Sequence, residues 1–467
     1  MLLWIGVASA ASVTLNPGDD VASLTSALGP GDEIVFANGI YEIPSTIQWA
    51  GEGTKNDPIV LRANEPGRAV LEYVGETGRV ADVSASSHLS IDGLVFQGGE
   101  GWDLITQGGL RIGDSSNVSV TNCEFTQLGG TVLYLAGDNA DIAFNDNEIS
   151  NTHTSTAIYV GCSDATCWTS GAEFSGNLVH SLTGPDDYAL ILEPGSQGIS
   201  ITDNVFYDLG YRGILTHSTE LGDPIVIEGN AMWSVLDIAI YVRGASTVRN
   251  NVIFNSGAGL YAADPEWETY SDMVITHNTI ADTEGWGMRV YDWVGAENMV
   301  LANNVVSNPT GYAFHTDEGD WDDTNVISSN VFSGLVSNLE PLKGHYVPGA
   351  GSRDFADDVG WDFYPSSTST LLGAADPSAE AWVPPLDFNH AERDGAAPDV
   401  GAYERSTADN PGWAIQEGYK VPGVKDEPIE EEVGGCACND DGNGQAAVVL
   451  LPLMVLLGAR RRSQAPL

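Results

Sequence analysis

An all-β solenoid, a parallel β-helix of about 26 residues per coil, is the fold this chain predicts. The first observation behind it is an asparagine that recurs at that spacing between 122 and 330, inside one short frame: apolar-x-apolar-x-x-Asn-x-apolar. The second is a small-apolar-x-apolar segment lying between successive frames. The third is the punctuation: the copies break at Gly, Asn and Asp and are too short to hold two helices.

The frames run in order along the chain. Val118, Val120, Asn122 and Phe125 make a looser first copy, followed by Phe144, Asn147, Ile149 and by Phe174, Asn177, Val179. Next come Ile199, Ile201, Asn204, Phe206; Ile225, Ile227, Asn230, Met232; and Val248, Asn251, Ile253. Met273, Ile275, Asn278, Ile280; Met299, Leu301, Asn304, Val306; and Ile327, Asn330, Phe332 complete the series. An asparagine at each turn can hydrogen-bond its counterparts above and below and satisfy backbone groups that the turn would leave unpaired. The intervening strands include Ala157 to Val160, Ala189 to Leu192, Ala239 to Val242, Gly287 to Val290 and Ala313 to Thr316. An earlier coil, Leu89, Ile91, Leu94 and Phe96, carries Leu94 where later coils carry asparagine.

On these residues the chain resembles the pectate-lyase-like superfamily of right-handed parallel β-helices, over roughly residues 15–405. The entry Gly31-Asp32-Glu33-Ile34-Val35-Phe36, running to Asn38-Gly39-Ile40-Tyr41, is similar to the first coil of that family. Gly53-Thr54 with Asp57-Pro58-Ile59-Val60-Leu61-Arg62-Ala63 resembles the alginate lyase and chondroitinase B group. Asp394-Gly395 to Pro398-Asp399-Val400-Gly401-Ala402-Tyr403-Glu404 is similar to the segment that often closes such repeats. The resemblance implies a solenoid that acts on polysaccharide, without fixing one reaction.

A solenoid grows in one dimension, so a domain over 12–405, with its clearest coils at 88–334, fits a chain of 467 residues, and a monomer is expected. The formal charge of −47, with 18 Lys+Arg, excludes a nucleic-acid partner, because a phosphate backbone needs a basic face. Such an excess of acid serves solubility or salt tolerance. Of five cysteines, Cys162 and Cys167 are spaced for a small loop disulfide in an exported protein, and Cys123 is a buried filler. His88, His153, His180, His277, His345 and His390 lie in separate coils without metal spacing and read as turn or surface residues.

The ends suggest an address. Residues 1–11 offer an apolar run and an Ala-x-Ala site, as a signal peptide does. An acidic, Pro-containing linker covers 406–433. The tail 434–467 carries Cys436 and Cys438, an apolar stretch from Ala446 to Ala459 expected as a short helix, and Arg460-Arg461-Arg462. This order resembles the C-terminal sorting tails of myxobacterial surface proteins. The resemblance implies export, cutting by a sorting protease near the cysteines, and membrane attachment at the cell surface or outer membrane.

Strand alternation brings outward side chains into rows about 4.8 Å apart. One row reads Ile191, Leu215, Tyr241, Tyr261, Arg289, His315; the neighbouring row reads Glu193, His217, Arg243, Ala263, Tyr291, Asp317. Glu193, His217 and Arg243 should stack on three consecutive coils. With Trp267 and Trp293 nearby, these rows suit a polysaccharide, because aromatic faces pack on sugar rings and arginine grips carboxylates. In β-elimination His217 or Tyr241 would be the base and Arg243 or Arg289 the clamp. Hydrolysis would need a carboxylate pair, Glu193 with Asp264 or Asp292 with Asp317. Calcium candidates are the loop Asp317, Glu318, Asp320, Asp322 and a second cluster at Asp264. The rival reading is a non-catalytic surface adhesin or envelope protein that uses the solenoid as a wall.

Overall fold

Short apolar-alternating segments separated by tight turns cannot bury one face alone, so they stack. The computed structural model describes residues 10–24, 28–104, 107–153, 156–184, 188–218, 223–262, 271–376 and 382–421. The chain divides into Met1–Lys425 and Asp426–Leu467, and the second unit, with Cys436, Cys438 and the expected tail helix, lies outside the described residues. So do the first nine residues.

Three parallel sheets wind around one core. Ser116–Thr121, Ile225–Glu228 and Met273–Thr276 are strands of the first sheet. Glu148–Thr152, Val205–Leu209 and Val252–Phe254 belong to the second, and Thr156–Val160, Arg212–Ser218 and Ile238–Arg243 to the third. Each strand pairs with its counterpart one coil on, as Phe174 with Ile201, Ile201 with Ile227 and Ile227 with Val248. Inward residues such as Ile214, Ile240, Leu260, Met288 and Phe314 are buried in one continuous core.

The asparagine ladder stands at the turn between the first and second sheets. Asn204 Nδ2 donates to Asn230 Oδ1 at 2.9 Å and to the Phe174 carbonyl at 2.8 Å, and its backbone N–H donates to the same Oδ1 at 3.0 Å. The pattern repeats through Asn147, Asn177, Asn230, Asn251, Asn278 and Asn304, with Asn330 accepting at the far end. Asn122 does not belong to this ladder. It holds the left-handed turn position one residue earlier, at φ 53°, and Cys123 fills the ladder place, its N–H donating to Asn147 Oδ1 at 2.9 Å. Asparagine suits both places, because its short amide also tolerates the left-handed region.

The segment similar to a closing sequence does not cap the last coil. It folds back along the outer face of the second sheet, where the Gly401 N–H donates to the Asn303 carbonyl at 3.0 Å and the Ala402 N–H to Thr279 Oγ1 at 2.9 Å. Phe355, Phe363, Tyr364, Phe388 and Tyr403 there cover Val205, Trp233, Val252, Phe254 and Val305. From Val205 to Val331 the outer face of the second sheet is thus covered, while the outward row of the third sheet carries the aromatic and basic side chains singled out in the sequence.

Candidate functional site

Most third-sheet strands carry a small residue at their second position, Ala157, Ala189, Gly213, Ala239, Gly259 and Gly287, and at Gly259 the neighbouring backbone comes so close that a Cβ would collide with the Gly287 carbonyl. From there alternation sends Leu190, Ile214 and Ile240 into the core and Ile191, Leu215 and Tyr241 outward. The outward row runs in register from Tyr159 through Ile191, Leu215, Tyr241, Tyr261 and Arg289 to His315. Six coil steps at about 4.8 Å give a face roughly 29 Å long.

His217 and Arg243 are register partners. The Arg243 guanidinium lies 4.4 Å from the Tyr241 ring centroid, and its Nη2 donates to the Tyr241 hydroxyl at 3.0 Å. Its Nη1 stands 3.4 Å from His217 Nε2 and 3.5 Å from Nδ1. A cation, a phenol and an imidazole therefore meet in one place. Arg212, which the sequence reading missed, flanks them. It pairs with Asp237 at 2.6 Å, donates to the Tyr188 hydroxyl at 3.2 Å, and lies over the Tyr211 ring at 4.7 Å and the Tyr241 ring at 5.8 Å. Burial works to lower its pKa, yet the Asp237 carboxylate holds it above the ordinary arginine value. It stands two residues before the inward Ile214, where strict alternation would turn it to the core, so the sequence pattern concealed it.

Glu193 does not join this centre. The pairing of Tyr188–Gln197 with the next strand slips between Leu192 and Ser196, and the bulge carries Glu193 back toward the preceding coil. There Gly161 leaves room for its Cβ, and its carboxylate accepts a hydrogen bond from Tyr159 Oη at 2.6 Å.

Two coils beyond Tyr241, Arg289 is held among three rings, Trp286 at 4.6 Å and Tyr261 and Tyr291 at 5.1 Å. Its Nε is buried without a hydrogen-bond partner among the described residues. Asp317 lies 3.6 Å both from Arg289 Nη2 and from His315 Nε2. Burial, and after it the Arg289 charge, keeps the His315 pKa below the ordinary histidine value. Tyr261 stands edge-on to Tyr241 at 4.9 Å and joins the two polar groups.

Trp293 is not on this surface: Asp292 turns the chain at φ 57° and drops the indole into the core, with no exposure. Trp267 and Asp264 lie outside the described residues. In the acidic loop, Asp322 accepts from the Gly295 N–H at 3.0 Å and the Thr324 N–H at 2.8 Å, while Asp320 accepts from the Asp317 N–H at 2.8 Å. These carboxylates cap turns, and among the described residues no group of three or more His, Cys, Asp or Glu could hold a metal. His277 and His345 are buried, not at the surface; His277 fills a left-handed turn at φ 53° with no exposure.

Two cavities flank the Arg243 centre. One of about 800 Å³ follows the corner between the second and third sheets past Ser181, Asp208, Ser234 and Asn255. Another, of about 410 Å³, lies on the third sheet at Tyr134 and Tyr159, beneath the loop that Cys162 and Cys167 close as a disulfide.

Two family models match parts of the chain: periplasmic copper-binding protein (NosD) over residues 161–338, and chondroitinase B over residues 16–151. No curated protein sequence matches. Among solved structures, the A-module of the Azotobacter vinelandii mannuronan C-5 epimerase AlgE6 is similar at 16% identity, over 69% of this chain and 90% of that one, with a TM-score of 0.53. Pectate lyase Pel9A is similar at 14% identity, over 85% and 97%, with a TM-score of 0.49. The alginate lyase of Paenibacillus sp. str. FPU-7 is similar at 16% identity, over 70% and 98%, with a TM-score of 0.44. At these identities the likeness is one of fold, and that fold is the parallel β-solenoid.

Proposed function

We propose that the protein binds a polysaccharide along the outer face of its third sheet and acts on it at Tyr241, Arg243 and His217. The observation that carries the reading is the Arg243 guanidinium, laid on the Tyr241 ring with its nitrogens at the Tyr241 hydroxyl and the His217 ring. A phenol or imidazole can take the proton beside a uronate carboxylate, and an arginine can neutralise the charge that develops there. Arg289, Tyr261, Tyr291 and His315 would extend the binding face. Elimination suits this geometry better than hydrolysis, because Glu193 is engaged with Tyr159 and Asp317 faces Arg289 and His315. That the model matches and structural neighbours include a periplasmic protein and polysaccharide lyases supports an exported protein of this kind. The tail at Cys436 and Cys438 would then be the point of processing and attachment.

The test is incubation with alginate, pectate, chondroitin and neutral glycans, with and without calcium. Products are followed by the ultraviolet absorbance of a new double bond conjugated to a carboxylate. His217→Ala and Tyr241→Phe should each lower kcat/KM by about 10²-fold or more, and Arg243→Ala by about 10²-fold, with Tm unchanged. Binding without turnover by the wild type on every substrate would leave a surface adhesin or envelope wall as the function.

A further inference from the structure

The cavity at Tyr134 and Tyr159 plays no part in the chemistry above. It lies on the same face, three coils before Tyr241, at a distance of about 14 Å. Its floor is the two rings, 5.5 Å apart and nearly perpendicular, so that one offers a face and the other an edge. Thr131 and Thr156 stand at its sides. The far wall is the loop from Cys162 to Cys167.

This wall is rigid for stated reasons. The disulfide closes it, with Cα atoms 5.3 Å apart. The Ala165 N–H donates to the Cys162 carbonyl at 3.0 Å, and Asp164 Oδ1 accepts from Thr166 Oγ1 at 2.6 Å and from its N–H at 3.2 Å. Cys167 is buried beside Gly137, whose N–H points at its sulfur from 3.2 Å. The loop is therefore a fixed overhang above an aromatic floor. A volume of about 410 Å³ falls within the range of small-molecule sites.

The polar groups decide what would fit. Hydroxyls of Ser163, Thr166, Thr131 and Thr156 and the Asp164 carboxylate surround the rings, with Glu193 behind the Tyr159 hydroxyl. Rings pack on the C–H face of a pyranose, while hydroxyls and carboxylates bond its O–H groups. Two carboxylates repel a uronate. We infer that this pocket binds an uncharged pyranose ring, as an anchoring subsite for neutral sugar on the face that carries the Arg243 centre. The inference extends the polysaccharide reading, and a separate assay keeps the two apart.

The experiment is isothermal titration of the full chain with neutral hexasaccharides of β-linked glucose, mannose and galactose, alongside the turnover assay above. At least one hexasaccharide should bind. Tyr134→Ala should weaken it at least tenfold, and so should the pair Cys162→Ser and Cys167→Ser, with the cooperative melt retained in both. Mild reduction of the wild type should weaken binding as the serine pair does, and reoxidation should restore it. No binding to any of the three, or equal binding by wild type and Tyr134→Ala, overturns the subsite, whatever the turnover. Neutral-sugar binding with no turnover on any substrate would instead remove the catalytic reading and leave the subsite standing.

Discussion

At the scale of single residues, buried hydrogen-bond capacity governs this molecule. Each ladder asparagine from Asn177 to Asn330 takes two N–H groups on its Oδ1, so its loss orphans donors on the neighbouring coil. Asn204→Ala leaves the Asn177 N–H and Nδ2 without their acceptor and should cost about 2–5 kcal/mol, read as a lower urea midpoint. An unchanged midpoint would mean that the ladder is ornamental. His277 is a second case. Burial, and after it the charges of Arg393 and Arg249, keeps its pKa well below 6.5. A base with a depressed folded pKa stays neutral in the fold while the unfolded chain takes a proton. Stability is therefore full above about pH 6.5 and falls below it, by up to about 1.4 kcal/mol per pH unit. His277→Asn keeps the left-handed turn and should flatten the loss of Tm between pH 7.5 and 5.5; an identical slope in both proteins refutes this.

At the scale of elements, the returning segment is fastened by charge as well as by apolar packing. Lys420, fully buried, donates to Asp203 Oδ1 at 2.6 Å and to the Gly229 carbonyl at 2.7 Å, and His390 meets the same carboxylate at 3.0 Å. Burial pushes the Asp203 pKa up, but His390 and Lys420 more than offset it and hold the group below its ordinary value. A carboxylate so depressed contributes stability above about pH 4, and that stability disappears as pH falls through the folded value. Asp203→Asn strands the Lys420 charge and should cost about 3–5 kcal/mol. Hydrogen exchange of residues 382–421 should rise in that variant at pH 7, as in the wild type only below about pH 4. Protection of this segment unchanged at pH 3 would refute the fastening.

At the scale of the whole molecule, the outer faces of the second and third sheets have different fates. The second sheet's is apolar and covered; the third sheet's is aromatic and cationic on a chain of formal charge −47. Removing everything from residue 355 onward should bare Trp233, Phe254 and Val305, and the shortened protein should bind a hydrophobic dye and aggregate. A dispersed monomer with native Tm would show that the cover is dispensable. The cover was half legible: Val252-Ile253-Phe254 breaks strict alternation, as a strand buried on both faces must. What lay over it was not, because the partner segment is more than a hundred residues away in the chain.

The amino-acid order by itself determined the coil, its period and the outward row, since a two-residue alternation repeated at a fixed spacing admits few other packings. Tyr241, Arg243 and His217 could be placed together on parity alone. Only the tertiary structure decided that Glu193 leaves them, that Cys123 and not Asn122 stands under the ladder, and that Trp293 turns inward. Each of those depends on one residue of slip at a bulge or turn, and a slip of one reverses which way a strand residue points. Repetition fixes the average coil; the departures that shape a site are local, and local backbone geometry resolves them only when the coils above and below are in place.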